Sequence, residues 1–228
     1  MDTNRVWIKG AALTYAVFPQ WPSFCGVATC CGALGSILQK PVTQQELQRR
    51  YQVGLYTKLH ASAVCDPNTF AKRQRSGKGF SNWDAIRLCN AVLLDEGREP
   101  AATVFCGQDF VRESAQPECR RELLDWLRHD SCQALIHLQN HYVLFAGAHE
   151  SSVDGSLSLL VADSSKRSGP LRSLALAELS SLANADERYG FVLISDRDIP
   201  RTLFRTWTSA MMPPEVSERR RFARIDKS

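Results

Sequence analysis

This sequence lacks any long hydrophobic run. No stretch of about 18 apolar residues occurs in its 228 residues, so no membrane-spanning helix is read from it. It also lacks a signal-peptide pattern: Asp2 stands before, and Lys9 inside, the segment where a continuous apolar core would have to lie. The expected compartment is the cytoplasm, or the exterior by a route that needs no classical signal. No two cysteines are spaced Cys-x-x-Cys, so a structural zinc site has no support, and no motif asks for a cofactor. Internal repeats and low-complexity tracts are missing too, which excludes solenoids and arrays. Neither sign of charge dominates, with 28 Lys and Arg against 24 Asp and Glu. The small excess gathers in Arg219, Arg220, Arg221 and Arg224, after Pro213 and Pro214. Only Phe222 interrupts that run with an aromatic ring, so it reads as a solvated tail rather than a nucleic-acid or membrane contact.

What is present suits a globular protein: 44% apolar and 23% charged residues, enough chain for one sizeable domain or two small lobes around a cleft. There are eight cysteines, at 25, 30, 31, 65, 89, 106, 119 and 132. In a chain of this length with no export signal they are expected as reduced thiols, most of them small core residues.

The apolar spacing of Val27, Cys31, Leu34 and Leu38 predicts a helix over residues 26–39. Gly26, Ala28, Gly32, Ala33 and Gly35 crowd the same segment and would let neighbouring backbone come close, so this helix is expected to be central and buried. Thr43 with Glu46, and Ser81 with Asp84, read as capping boxes that open two further helices. Residues 52–80 show no period and read as loop. A strand is expected at 101–106 and an amphipathic helix at 118–129. The character then changes: 134–138, 142–146, 157–162 and 190–195 are short runs rich in strand formers. Helices first and strands later predict an α+β domain. The expected organisation is a catalytic domain over 1–212, with a helical lobe to about 130 and a sheet lobe beyond, and a basic tail at 213–228.

Cys25 carries the most chemical information. It follows Pro22-Ser23-Phe24 and stands at the start of the small-residue helix, where unpaired N–H groups and the positive end of the dipole favour a thiolate. Gly26 leaves the approach open. Gln20, five residues upstream, would place a side-chain amide beside the thiol and form an oxyanion hole with the Cys25 backbone N–H. A lone cysteine would read as core; position, glycine and glutamine together point to a nucleophile.

A Gln, then Cys-Gly opening a buried helix, then a His-aromatic-aliphatic strand, then an aliphatic strand ending in Asp resembles the papain-like cysteine peptidase superfamily. His141-Tyr142-Val143 and Val161-Ala162-Asp163 are similar to strands of the double-glycine-leader peptidases that process bacteriocins. Ser23-Phe24-Cys25-Gly26-Val27-Ala28-Thr29 is similar to the nucleophile segment of the phytochelatin synthases. In the latter a basic residue and a Pro follow the Asp, as Lys166, Arg167 and Pro170 follow Asp163 here. The resemblance implies a papain-like fold, in which a helical lobe carries the nucleophile at a helix N-terminus and packs on an antiparallel sheet that carries His and Asp. It also implies a substrate-binding role for Lys166 and Arg167.

His141 is the candidate base, because a strand starts there and a matching Asp follows. His60, His129, His137 and His149 read as surface or hydrogen-bonded histidines. Asp163 would orient the imidazole, although Asp163-Ser164-Ser165 also reads as a turn. If 141–147 and 157–163 pair across a wide loop, His141 faces Asp163. A tight turn at Asp154-Gly155 would instead pair Asp163 with Ala146, too far from His141 to bond. The triad therefore requires the wide loop.

The expected function is a cysteine peptidase acting through a Cys25 thioester that water resolves. Resolution by an amine or thiol would make it a γ-glutamylcysteine dipeptidyl transferase acting on glutathione, like phytochelatin synthase. Loss of ammonia would make it a deamidase. A papain-like binding module with an idle triad is the non-enzymatic alternative. The expected partners are a peptide or protein substrate, or glutathione, and not nucleic acid.

Overall fold

A computed structural model describes residues 5–20, 24–51, 80–111, 117–151, 156–165, 171–185, 189–200 and 203. The expectations for residues 52–79, for Lys166, Arg167 and Pro170, and for the tail at 213–228 lie outside the described residues. In chain order the elements are β1 (Arg5–Ile8), α1 (Gly10–Tyr15), α2 (Cys25–Leu38), α3 (Gln44–Tyr51), α4 (Asn82–Asp95), β2 (Ala101–Cys106) and α5 (Gly107–Val111). They continue with α6 (Pro117–Leu127), β3 (Cys132–Leu138), β4 (His141–Glu150), β5 (Leu157–Ala162), β6 (Leu171–Ala175), α7 (Leu176–Ala185) and β7 (Gly190–Ser195). The class is α+β. One antiparallel sheet runs in the order β2-β7-β3-β4-β5-β6, with β1 also paired to β4. Thus β1 and β2, from the helix-rich first half, join the sheet of the second. No helix among the described residues is long and apolar enough to cross a membrane.

Strand alternation divides the core in two. Leu135, Tyr142, Leu144, Ala162, Val192 and Ile194 turn to one face, where α2 and α4 cover them. Ile136, Val143, Phe145, Val161, Phe191 and Leu193 turn to the other, beneath α5, α6 and α7. Helix α2 is buried from Gly26 through Ile37, as its small residues predict. A Cβ on Gly32 would come 2.8 Å from Leu144 Cδ2, so the helix sits low over β4 and any side chain there would require Leu144 to shift. The box that opens α4 is complete: the Ser81 side chain accepts from the Asp84 N–H, and the Asp84 carboxylate accepts from the Ser81 N–H.

Strands β4 and β5 decide the geometry that follows. The hairpin starts with Glu150 opposite Leu157 and runs through Gly147 opposite Leu160. A bulge then shifts the register, so that Phe145 pairs Val161 and Leu144 pairs Ala162. This corrects both expected registers: Gly147 faces Leu160 rather than Leu157, and the pair Leu144 with Ala162 leaves Asp163 away from Ala146. Without the bulge, Asp163 would come opposite Leu144, an odd number of residues from His141 and on the opposite face. With it, Asp163 follows directly on the last pair, Leu144 with Ala162, and its carboxylate reaches His141 Nε2 at 2.8 Å. Gly147 makes the bulge possible: its φ of 151° and the Trp7 carbonyl oxygen, 2.2 Å from where a Cβ would lie, exclude a side chain.

Candidate active site

Cys25 is the first residue of α2, and Phe24 before it provides no side-chain cap. The N–H groups of the first turn have no acceptor within the helix, and that of Gly26 reaches the half-buried thiol. Burial alone would push the Cys25 thiol up. Hydrogen bonds from His141 and from the Tyr142 backbone N–H, the charge of His141 and the Gly26 N–H outweigh it, and the thiol is held below its ordinary range. A Cβ on Gly26 would fall 2.2 Å from Phe80 Cδ1, so the Phe80 ring lies directly against the backbone that follows the nucleophile. The Tyr142 hydroxyl donates to Asn82 Oδ1 at 2.7 Å and so links the start of α4 to the start of β4.

His141 opens β4. Its Nε2 lies 2.8 Å from Asp163 Oδ1. An ionised carboxylate only accepts, so Nε2 carries the proton and Nδ1 is the nitrogen left to meet the Cys25 sulfur. The bonds to Asp163 and to Cys25 raise the imidazole to about 9, against the opposing pull of burial. Asp163, just past the end of β5, is nearly buried. Burial would push its carboxyl up, but the bonds from His141 and from the Ser165 hydroxyl and N–H, with the charge of His141, hold it far below the usual carboxylate range. Ser165 donates its N–H at 3.0 Å and its hydroxyl at 2.6 Å to Asp163 Oδ1, while Arg172 Nε of β6 stands 3.5 Å from Oδ2. The turn reading and the orienting reading of Asp163 therefore coexist in one carboxylate.

The structure thus brings Cys25, His141 and Asp163 into one hydrogen-bonded line. Gln20 is tied to the residue after Asp163: its N–H donates to the Ser164 carbonyl at 3.1 Å, and the Ser164 hydroxyl donates to its Oε1 at 2.7 Å. The amide is thereby oriented with its oxygen toward Ser164. The other described histidines lie elsewhere. His137 stacks on Tyr142 with ring centroids 4.3 Å apart, and the His129 carbonyl accepts from Lys9 Nζ. The six cysteines whose side chains are described are free thiols, and all but Cys25 are buried. Burial raises Cys30, Cys31 and Cys132, the opposite of Cys25. Sequence reasoning missed Ser165 and Arg172. Ser165 was legible as the third residue of an Asx turn; Arg172 depends on the pairing of β5 with β6 and had no local signal.

The opposed shifts of thiol and imidazole define what the site can do. The imidazole is raised and the thiol lowered, so each shift favours the charged form of its group, a nucleophilic thiolate beside a proton donor. No family model and no curated protein sequence matches the chain. Among solved structures it is similar to UfSP from C. elegans, with a TM-score of 0.39 and 13% identity over 78% of this chain. The aligned part spans 30% of that longer chain. The chemistry of the site follows from its own geometry.

Proposed function

We propose that this chain is a papain-like cysteine peptidase that cleaves a peptide or amide bond through a thioester on Cys25. The observation that carries the reading is the line from the thiol at the N-terminus of α2, through the first imidazole of β4, to a buried carboxylate at the end of β5. In this mechanism the Cys25 thiolate attacks the carbonyl carbon, and the electron pair moves to the carbonyl oxygen. The Gln20 amide and the Cys25 N–H stabilise that oxyanion. His141 gives its proton to the leaving amine as the C–N bond breaks. It then takes a proton from the water that hydrolyses the thioester, and Asp163 holds the tautomer throughout. The catalytic unit spans residues 1–212, with 213–228 as an appended basic tail.

p-Nitrophenyl acetate tests the reading without a known substrate. The expected result is a burst of p-nitrophenolate matched by one acetyl group on Cys25, seen by intact mass and peptide mapping. The burst should be absent in Cys25→Ala and strongly reduced in His141→Ala. An acetyl group that maps to another cysteine, or a burst that survives Cys25→Ala, would reject the assignment.

A further inference from the structure

Strand β5 stops short of the site. Leu144 is the last residue of β4 paired with it, opposite Ala162, and the chain then turns away at Asp163. Tyr142 lies two residues beyond Leu144, past the last β4–β5 pair, and its main chain presents an N–H and a C=O on that edge. Helix α2 fills the notch. The Tyr142 N–H bonds to the Cys25 sulfur, and the hydroxyl of Thr29, one turn along the helix, lies 3.2 Å from the Tyr142 carbonyl oxygen. The same hydroxyl lies 2.7 Å from the Cys25 carbonyl oxygen. Thr29 is 3% exposed, so no water replaces it.

We propose that Thr29 is a positioning residue, whose hydroxyl clamps the residue after His141 to the turn that begins with Cys25 and so fixes the separation of sulfur and imidazole. The inference rests on the cysteine-enzyme reading, but it concerns a residue that touches neither substrate nor the reacting atoms. A helix threonine that bonds only its own i−4 carbonyl would be a local matter. Here one donor is shared between the helix that carries the nucleophile and the strand that carries the base. Tyr142 and His141 are consecutive, so a small slide of β4 along α2 moves the imidazole by the same amount. It also weakens the Tyr142 N–H bond to sulfur. Both effects raise the thiol toward its ordinary value. The titratable groups around the sulfur are His141 with Asp163 behind it, and Cys30 further along α2 with Cys89 and Asp84 behind that. Of these only His141 is carried by β4.

The test is the pH dependence of Cys25 alkylation by iodoacetamide, in which sulfur displaces iodide and no oxyanion forms. Wild type, Thr29→Ser and Thr29→Val are compared, with thermal melting measured in parallel. Thr29→Ser keeps the hydroxyl and should give the wild-type acid limb. Thr29→Val should move that limb up by about one pH unit, which is about tenfold slower alkylation on its acid side. Thr29→Ala gives the same readout if valine prevents folding. An acid limb that stays in place in Thr29→Val or Thr29→Ala, whatever the loss in melting temperature, would overturn the proposal. Wild-type protein in which Cys25 is not the preferred thiol would overturn the underlying enzyme reading instead.

Discussion

Replacing Asp163 by Asn removes a charge and little else, and its effect can be worked out before it is measured. His141 is raised from 6.5 to about 9, first by its bond to Asp163 and next by its bond to Cys25. The whole rise is worth about 3 kcal/mol. The His141 side chain is 23% exposed and that of Asp163 only 5%, so solvent screens the contact little. Asn keeps an oxygen that accepts from Nε2 and from Ser165, and the geometry is expected to survive. Its amide nitrogen would then face Arg172 Nε, donor against donor, where the carboxylate now sits 3.5 Å away. With the charge gone and the Cys25 contribution left, His141 should titrate about 1 to 2 pH units lower. The assay is a proton NMR titration of the imidazole Cε1–H, assigned by its disappearance in His141→Gln. Turnover should fall less than in Cys25→Ala. Asp163→Leu should do worse, because the Nε2–H would lose its acceptor in a partly buried site. A His141 titration in Asp163→Asn that matches wild type would show that the carboxylate does not set the base, and the orienting role would have to be abandoned.

Three further outcomes follow from the same structure. Gly147→Ala should displace β1 or the bulge, since its Cβ would strike the Trp7 carbonyl, and the His141 titration should fall together with stability; loss of stability with an unchanged titration would separate the bulge from the site. Lys9→Met should cost about 1–3 kcal/mol in urea unfolding, because buried Nζ donates to the carbonyls of Leu127, the last residue of α6, and of His129 just after it; an unchanged midpoint would mean that those carbonyls find other partners. The pH dependence of stability should differ between wild type and Cys25→Ala. In wild type the lowered Cys25 thiol contributes stability that grows as pH rises toward its ordinary range, opposing the loss from the raised His141, so the wild-type slope should be the flatter of the two. Without the thiol, the raised His141 contributes stability that is complete below 6.5 and is lost as pH rises through its folded value, so Cys25→Ala should weaken toward alkaline pH. Parallel slopes for the two proteins in urea unfolding would refute the coupled pair.

Much of the fold was legible because the signals were local. The stripe of Val27, Cys31, Leu34 and Leu38 and the box at Ser81 and Asp84 specify α2 and α4 within a residue or two. The apolar runs gave β3, β4, β5 and β7, though β4 extends to Glu150 where the run was read only to Ala146. What escaped was held by partners rather than by pattern. Strand β1 has four residues, with Val6 and Ile8 about half exposed, and β6 buries only Leu174 fully. Edge strands of that kind carry half a signal at best. Helix α7 follows β6 with no intervening residue, so neither period has room to declare itself.

The relation between His141 and Asp163 was the least legible feature, for a physical reason. Side chains alternate with period two, so one inserted residue anywhere between them reverses which face the second one takes. The sequence holds the residue types but not the parity. Counting back from either imagined turn led to a register that β4 and β5 do not adopt. The parity is set at Ala146, where the ladder skips a residue, and the skip is tolerated because Gly147 leaves room for the Trp7 carbonyl of β1. Thus a strand near the start of the chain, with no chemistry of its own, fixes the backbone on which base and carboxylate meet. That dependence is non-local twice over: it needs β1 beside β4 and β5 on the other side. A single glycine in a strand was the one mark of it in the sequence, and a glycine there signals a bulge or a close approach without saying which residues it will bring together.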